Sequence, residues 1–80
     1  MEEVGFVTHF YPKISVAIIE VTGELNQGDR IVIEKGDVRV EQEVESMQIE
    51  HTPITQAKPG DVIGLKVVER VPVGARVYKV

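Results

Sequence analysis

The sequence predicts an all-β fold, a small closed antiparallel barrel of roughly six or seven short strands with Greek-key-like connections, built as one domain over residues 1–80. Three observations predict it. A turn-and-strand phrase recurs at Leu25-Asn26-Gln27-Gly28-Asp29-Arg30-Ile31, Ala57-Lys58-Pro59-Gly60-Asp61-Val62-Ile63 and Val71-Pro72-Val73-Gly74-Ala75-Arg76-Val77. The segments between these phrases are rich in β-branched residues that alternate with polar ones. No window repeats apolar residues at helical spacing over three turns, so no α-helix is expected.

In each phrase the glycine can take positive φ without steric cost, Asp can bond the local backbone, and Pro59 presets φ just before the bend. Gly28, Asp29, Gly60, Asp61 and Gly74 are therefore read as structural turns. A phosphate cradle would need a glycine loop opening onto a helix N-terminus, whereas strand formers follow here.

The first strand is expected over Val4 to Phe10, with Tyr11-Pro12-Lys13 breaking it. Ser15 to Val21 is nearly all apolar and is expected to be central and buried on both sides. Arg30 to Glu34 and a return strand from Val38 flank the short loop Lys35-Gly36-Asp37. On the return strand Val38, Val40, Gln42 and Val44 share one face, while Arg39, Glu41, Glu43 and Glu45 form a charged outer ridge. After Ser46 the parity changes to Met47 and Ile49, which predicts a β-bulge near Ser46 and Met47. Residues 51–56 are read as a connector, and the second and third phrases launch the last strands. The expected core includes Phe6, Ala17, Ile19, Ile31, Ile33, Val44, Ile49, Ile63, Leu65 and Val77.

Composition narrows the function. The chain has no cysteine, which removes disulfides and thiolate metal sites and fits a reducing compartment. Apolar runs are too short for a signal peptide or membrane span, so a cytoplasmic protein without membrane association is expected. The net charge of −4 argues against sequence-blind nucleic-acid binding. Yet residues 58–80 carry Lys58, Lys66, Arg70, Arg76 and Lys79 against Asp61 and Glu69. These either form a locally positive face or are ordinary solvated strand positions.

No catalytic residue, metal site or cofactor is expected. Ser15 and Ser46 lack a nucleophile setting, and His9 and His51 lack an acid or ligand at a recognised spacing. An enzyme using His51 and Glu50 is the remote alternative. Glu41, Glu43 and Glu45 line one outer strand face and so do not oppose each other across a cleft. No P-loop is present, so GTP binding of that kind is not expected. Phe10-Tyr11-Pro12-Lys13 could stack on a base or dock a partner, or its rings could cap one end of the barrel.

Val21-Thr22-Gly23-Glu24-Leu25, Gly28-Asp29 with Ile31, Val44-Glu45-Ser46-Met47, Ala57 with Gly60-Asp61 and Ile63-Gly64-Leu65, and Gly74 ahead of Val77 together resemble the second domain of translational GTPases such as elongation factor Tu. The resemblance implies a free-standing translation-factor barrel without GTPase activity, contacting RNA or a ribonucleoprotein such as tRNA or the ribosome. It assigns Glu45 to the position of a glutamate in the pocket for the terminal adenosine and puts Gln48 where that pocket has an arginine. The expected contacts are Glu45, Met47 and Gln48 on the bulged strand and Lys66, Arg70 and Arg76 on the basic face, with Phe10, Tyr11 and Lys13 at the loop. The chain is also similar to the C-terminal barrel of collagenase-like peptidase proteins, which implies instead an accessory module with a protein partner.

Overall fold

A computed structural model describes all residues from Met1 to Val80. The strands are β1 (Glu2–Tyr11), β2 (Val16–Val21), β3 (Leu25–Asn26), β4 (Arg30–Lys35), β5 (Val38–Glu43), β6 (Met47–Ile49), β7 (Thr52–Ile54), β8 (Gln56–Ala57), β9 (Val62–Lys66) and β10 (Arg76–Lys79). Every pairing is antiparallel. Eight strands form one sheet in the order β5-β4-β10-β1-β2-β9-β6-β7, and β3 pairs with β8 as a separate ribbon. The extra strands beyond the expected number are two or three residues long and lie in segments read as turns or connector. Pieces that short carry no periodicity from which to read them.

The three glycine phrases are one structural device used three times. Gly28, Gly60 and Gly74 have φ of +93°, +97° and +91°, and each sits third in a four-residue turn. The turns close through Asp29 N to Asn26 O at 3.1 Å, Asp61 N to Lys58 O at 3.0 Å and Ala75 N to Pro72 O at 3.2 Å, the type II pattern. Each turn also exchanges two 2.8 Å backbone bonds with a buried valine from elsewhere in the chain: Gly28 and Asp29 with Val44, Gly60 and Asp61 with Val21, Gly74 and Ala75 with Val7. In the first two copies the Asp carboxylate accepts from the first turn residue, Asn26 N or Lys58 N, at 2.8 Å. The third copy has Pro72 there. Proline has no N–H to satisfy, so Ala75 replaces Asp without loss.

The flanking anchors Leu25, Ala57 and Val71 and the residues Ile31, Ile63 and Val77 are all buried in a single cluster of 18 side chains. Of the expected core, Phe6 is corrected and Ile49 is only half-buried. The cause is a β-bulge on β1, where register against β2 shifts between Val7 and His9. The extra residue turns Phe10 inward against the core and leaves Phe6 outward, 5.5 Å beneath the Arg76 guanidinium.

No bulge accounts for the parity change at Ser46. β5 pairs with β4 as far as Glu43, residues 44–46 cross over the first turn, and Met47 begins β6 against β9. The chain changes partner, so its inward parity is reset.

The ladder ends at β5 on one side and β7 on the other. Gln42, 5% exposed among apolar neighbours, stitches β5 to the chain leaving β9. Its amide donates to Lys66 O at 3.0 Å and accepts from Val68 N at 2.9 Å. No helix is long and apolar enough to cross a membrane.

Candidate functional site

β2 lies between β1 and β9, so the expectation that it is central holds. Its second face, however, is not covered. Ala17, Ile19 and Val21 point inward, while Val16 and Ile18 are half-buried and Glu20 is exposed. The register sets these outward residues in rows across the sheet surface. Phe6, Glu20 and Val62 form one row, His9, Ile18, Gly64 and Gln48 the next, and Tyr11, Val16 and Lys66 the third. A solvated sheet face is normally polar at such positions. Here the middle of the face is apolar.

The result is an open trough of about 820 Å³ whose lining includes Tyr11, Ile14, Val16, Ile18, Val62 and Gly64. A smaller recess of about 290 Å³ continues it toward Ser46 and Lys66. Ile14 is 57% exposed, Val62 53% and Tyr11 46%. Gly64 forms the floor. A Cβ there would lie 3.3 Å from Val16 Cγ1 and 3.9 Å from Ile18 Cδ1, so the missing side chain leaves bare backbone between two apolar walls. A glycine inside a strand weakens the strand and suits a place where another molecule comes close to the backbone.

One wall is the β6–β7 hairpin, in which Ile49 pairs with Thr52 around the two-residue tip Glu50-His51. Both tip residues have positive φ, +50° and +65°. That is the geometry of a type I′ turn, normally built with Asn-Gly. Neither side chain forms a hydrogen bond, so nothing local offsets the backbone cost.

Charge is asymmetric along the trough. Glu20, Glu50 and Asp61 cluster around the Val62 end, and none has a cation within 4.0 Å, unlike Glu3, Asp29, Glu34 and Glu41. Lys66 stands at the opposite end, its Nζ donating to Ile14 O at 2.8 Å.

The residues expected to form a site are only partly brought together. Gln48, Tyr11 and Lys66 border the trough and its recess. Met47 is corrected: at 2% exposure it belongs to the core. Phe10 and Tyr11, read as one feature, face opposite sides, Phe10 into the core and Tyr11 outward with its ring 4.8 Å from that of His9. Lys13, Glu45 and Arg70 are exposed and outside the trough.

The basic C-terminal face does not form. β9 and β10 are separated by β1 and β2; Arg76 pairs with Glu3 at 3.3 Å, and Lys79 with Asp29 at 3.3 Å. Sequence reading missed Ile14, Val16, Ile18 and Val62. The unbroken apolar run Val16 to Ile19 was the signal for Val16 and Ile18, since it requires a cover on both faces; Ile14 and Val62 had none.

No protein-family model matches the sequence. Over 77 residues, 95% of this chain, it is 46% identical to an uncharacterized protease of Methanocaldococcus jannaschii, of whose length it spans 19%. Two crystal structures of the C-terminal domain of a Geobacillus thermoleovorans protein assigned as a U32 peptidase share the fold. The selenomethionine variant superposes with a TM-score of 0.93 at 18% identity, covering 99% of this chain and all of that one. The second gives 0.92 at 18% identity, with 99% and 92% covered.

These matches overturn the expected link to translation factors, the ribosome and RNA. They support the other resemblance, to the C-terminal barrel of peptidase proteins. The chain is thus homologous to a segment of a protease-type protein, and its all-β fold is that of a peptidase-associated C-terminal domain.

Proposed function

We propose that this chain is a non-catalytic accessory domain that docks onto a protein, and that its partner is a polypeptide of the peptidase type to whose segment it is homologous. The observation that carries the reading is the solvent-facing apolar trough on β2 and β9, in a position that ordinary sheet patterning would make polar. The share of the relative covered agrees with it, because the matched segment leaves most of that protein to other domains.

Three polar side chains that could have served chemistry hold the fold together instead. Ser15 Oγ donates to Val67 O at 3.0 Å, and the Asp29 and Asp61 carboxylates cap their turns. Docking of one domain on another needs only a modest, partly polar interface, which a trough of this kind supplies.

The test is calorimetric titration of the purified chain into the rest of the Methanocaldococcus jannaschii protein, expressed without its matching 77 residues. A saturable one-to-one complex is expected. Peptidase activity in the isolated chain, or the absence of any complex, overturns the reading.

A further inference from the structure

Resting on the docking reading, we propose that the trough binds a partner segment that lays an apolar or aromatic side chain over Gly64 and sets a Lys or Arg between Glu20, Glu50 and Asp61. Other routes of capture are closed by the edges of the sheet. In β7, Ile49 with Thr52 and Met47 with Ile54 are the bonded pairs around a two-residue turn, so the residue between them, Pro53, is the one whose N–H would face outward. Proline removes that donor, which blocks addition of a further strand. The free edge of β5 exposes Arg39, Glu41 and Glu43, and charged side chains of this kind also discourage strand addition. Docking therefore falls to a face and not to an edge.

On that face the chemistry of the occupant follows from the lining. Gly64 presents no Cβ, and Val16 and Ile18, 3.3 and 3.9 Å from where one would be, close in beside its backbone, which makes a low apolar surface that a flat ring or a branched aliphatic group can cover. The exposed Ile14 and Val62 and the half-buried Ile18 all gain by being covered. At the Val62 end the three carboxylates have no cation within 4.0 Å and flank an apolar surface, whereas on β4 and β5 Glu41 and Glu34 are already paired with Arg30 at 3.2 Å and Arg39 at 3.0 Å. A positive group on the partner is thus favoured here, and an acidic one is disfavoured. The Glu50-His51 tip, held at positive φ, keeps its carboxylate beside this end.

The experiment is an amide NMR titration of the ¹⁵N-labelled chain with two capped probe peptides, Lys-Val-Phe-Val-Lys and Glu-Val-Phe-Val-Glu. The basic probe is expected to shift the Ile18, Gly64 and Gln48 amides saturably at millimolar concentration, and the acidic probe to shift them less. The basic probe should weaken by about two- to fivefold in a Glu20→Gln/Glu50→Gln variant, the scale of exposed ion pairs, and weaken again as salt is raised. The proposal is overturned if those amides do not move, if both probes act equally, if shifts centre on β4 and β5, or if dilution of the chain alone moves the same amides, which would make a second copy the occupant. Because the probes are peptides, failure here removes the trough assignment while the complex with the peptidase-type chain stands or falls by its own titration.

Discussion

Gln42→Met should loosen the seam between β5 and the chain leaving β9. The substitution keeps length and burial but removes the donor to Lys66 O, at 3.0 Å, and the acceptor for Val68 N, at 2.9 Å. Two part-buried backbone groups lose their partners. At about 1 kcal/mol each, the low end for such groups, the cost is about 2 kcal/mol. For a chain of this size that lowers Tm by about 8–16 °C. Gln42→Glu sharpens the test. Protonated, the introduced carboxyl can still donate to Lys66 O and accept from Val68 N; ionised, it faces that carbonyl oxygen as a buried charge. Burial and the carbonyl raise its folded pKa above the unfolded value of about 4.3. A raised folded pKa means that the variant keeps its stability below about pH 4 and loses it as pH climbs through the folded value. Thermal melts of both variants and the parent from acid to neutral pH read this directly. A Met variant within about 0.5 kcal/mol of the parent, or a Glu variant whose deficit does not change with pH, would refute the seam's dependence on this amide.

Other substitutions test the turns and the bulge. Asp61→Ala should cost about 1 kcal/mol in urea denaturation by leaving Lys58 N without its side-chain acceptor, whereas Ala75→Asp should destabilise the chain, because Ala75 is fully buried and Pro72 offers no N–H to the introduced carboxylate. Gly5→Ala should cost about 1–3 kcal/mol, since the new Cβ would sit 2.7 Å from Glu20 O and 2.8 Å from Ile19 Cγ2. Replacing Glu50-His51 by Asn-Gly should stabilise the hairpin by about 1 kcal/mol, measured by thermal melting, because both tip residues have positive φ.

The turns were legible because a glycine at a fixed offset from buried anchors is a chemical signature, and Gly28, Gly60 and Gly74 take nearly the same φ. Loss of Asp in the third phrase becomes intelligible only with the donor it would have served. The β1 bulge was not legible. Phe6, Thr8 and Phe10 alternate as a regular strand would, and only the shifted pairing with β2 shows that Phe6 and Phe10 face opposite ways.

At Ser46 the parity signal was real but its cause was not local, since Met47 answers to β9 while Gln42 answers to β4. The charged C-terminal residues failed as a face because adjacency in sequence is not adjacency in a sheet ordered β10-β1-β2-β9. The trough was half-legible. Val16 to Ile19 announced a strand apolar on both sides, and the missing fact was that this chain supplies a cover for only one of them.

Methyl NMR of the labelled chain, alone and saturated with the rest of the peptidase-type relative, decides whether the trough is the docking face. If the trough is covered by the partner, the Val16, Ile18 and Val62 methyl signals move together while those of Val38 and Val73, exposed elsewhere on the molecule, stay in place. Movement confined to Val38 and Val73, with the trough unchanged, would contradict it.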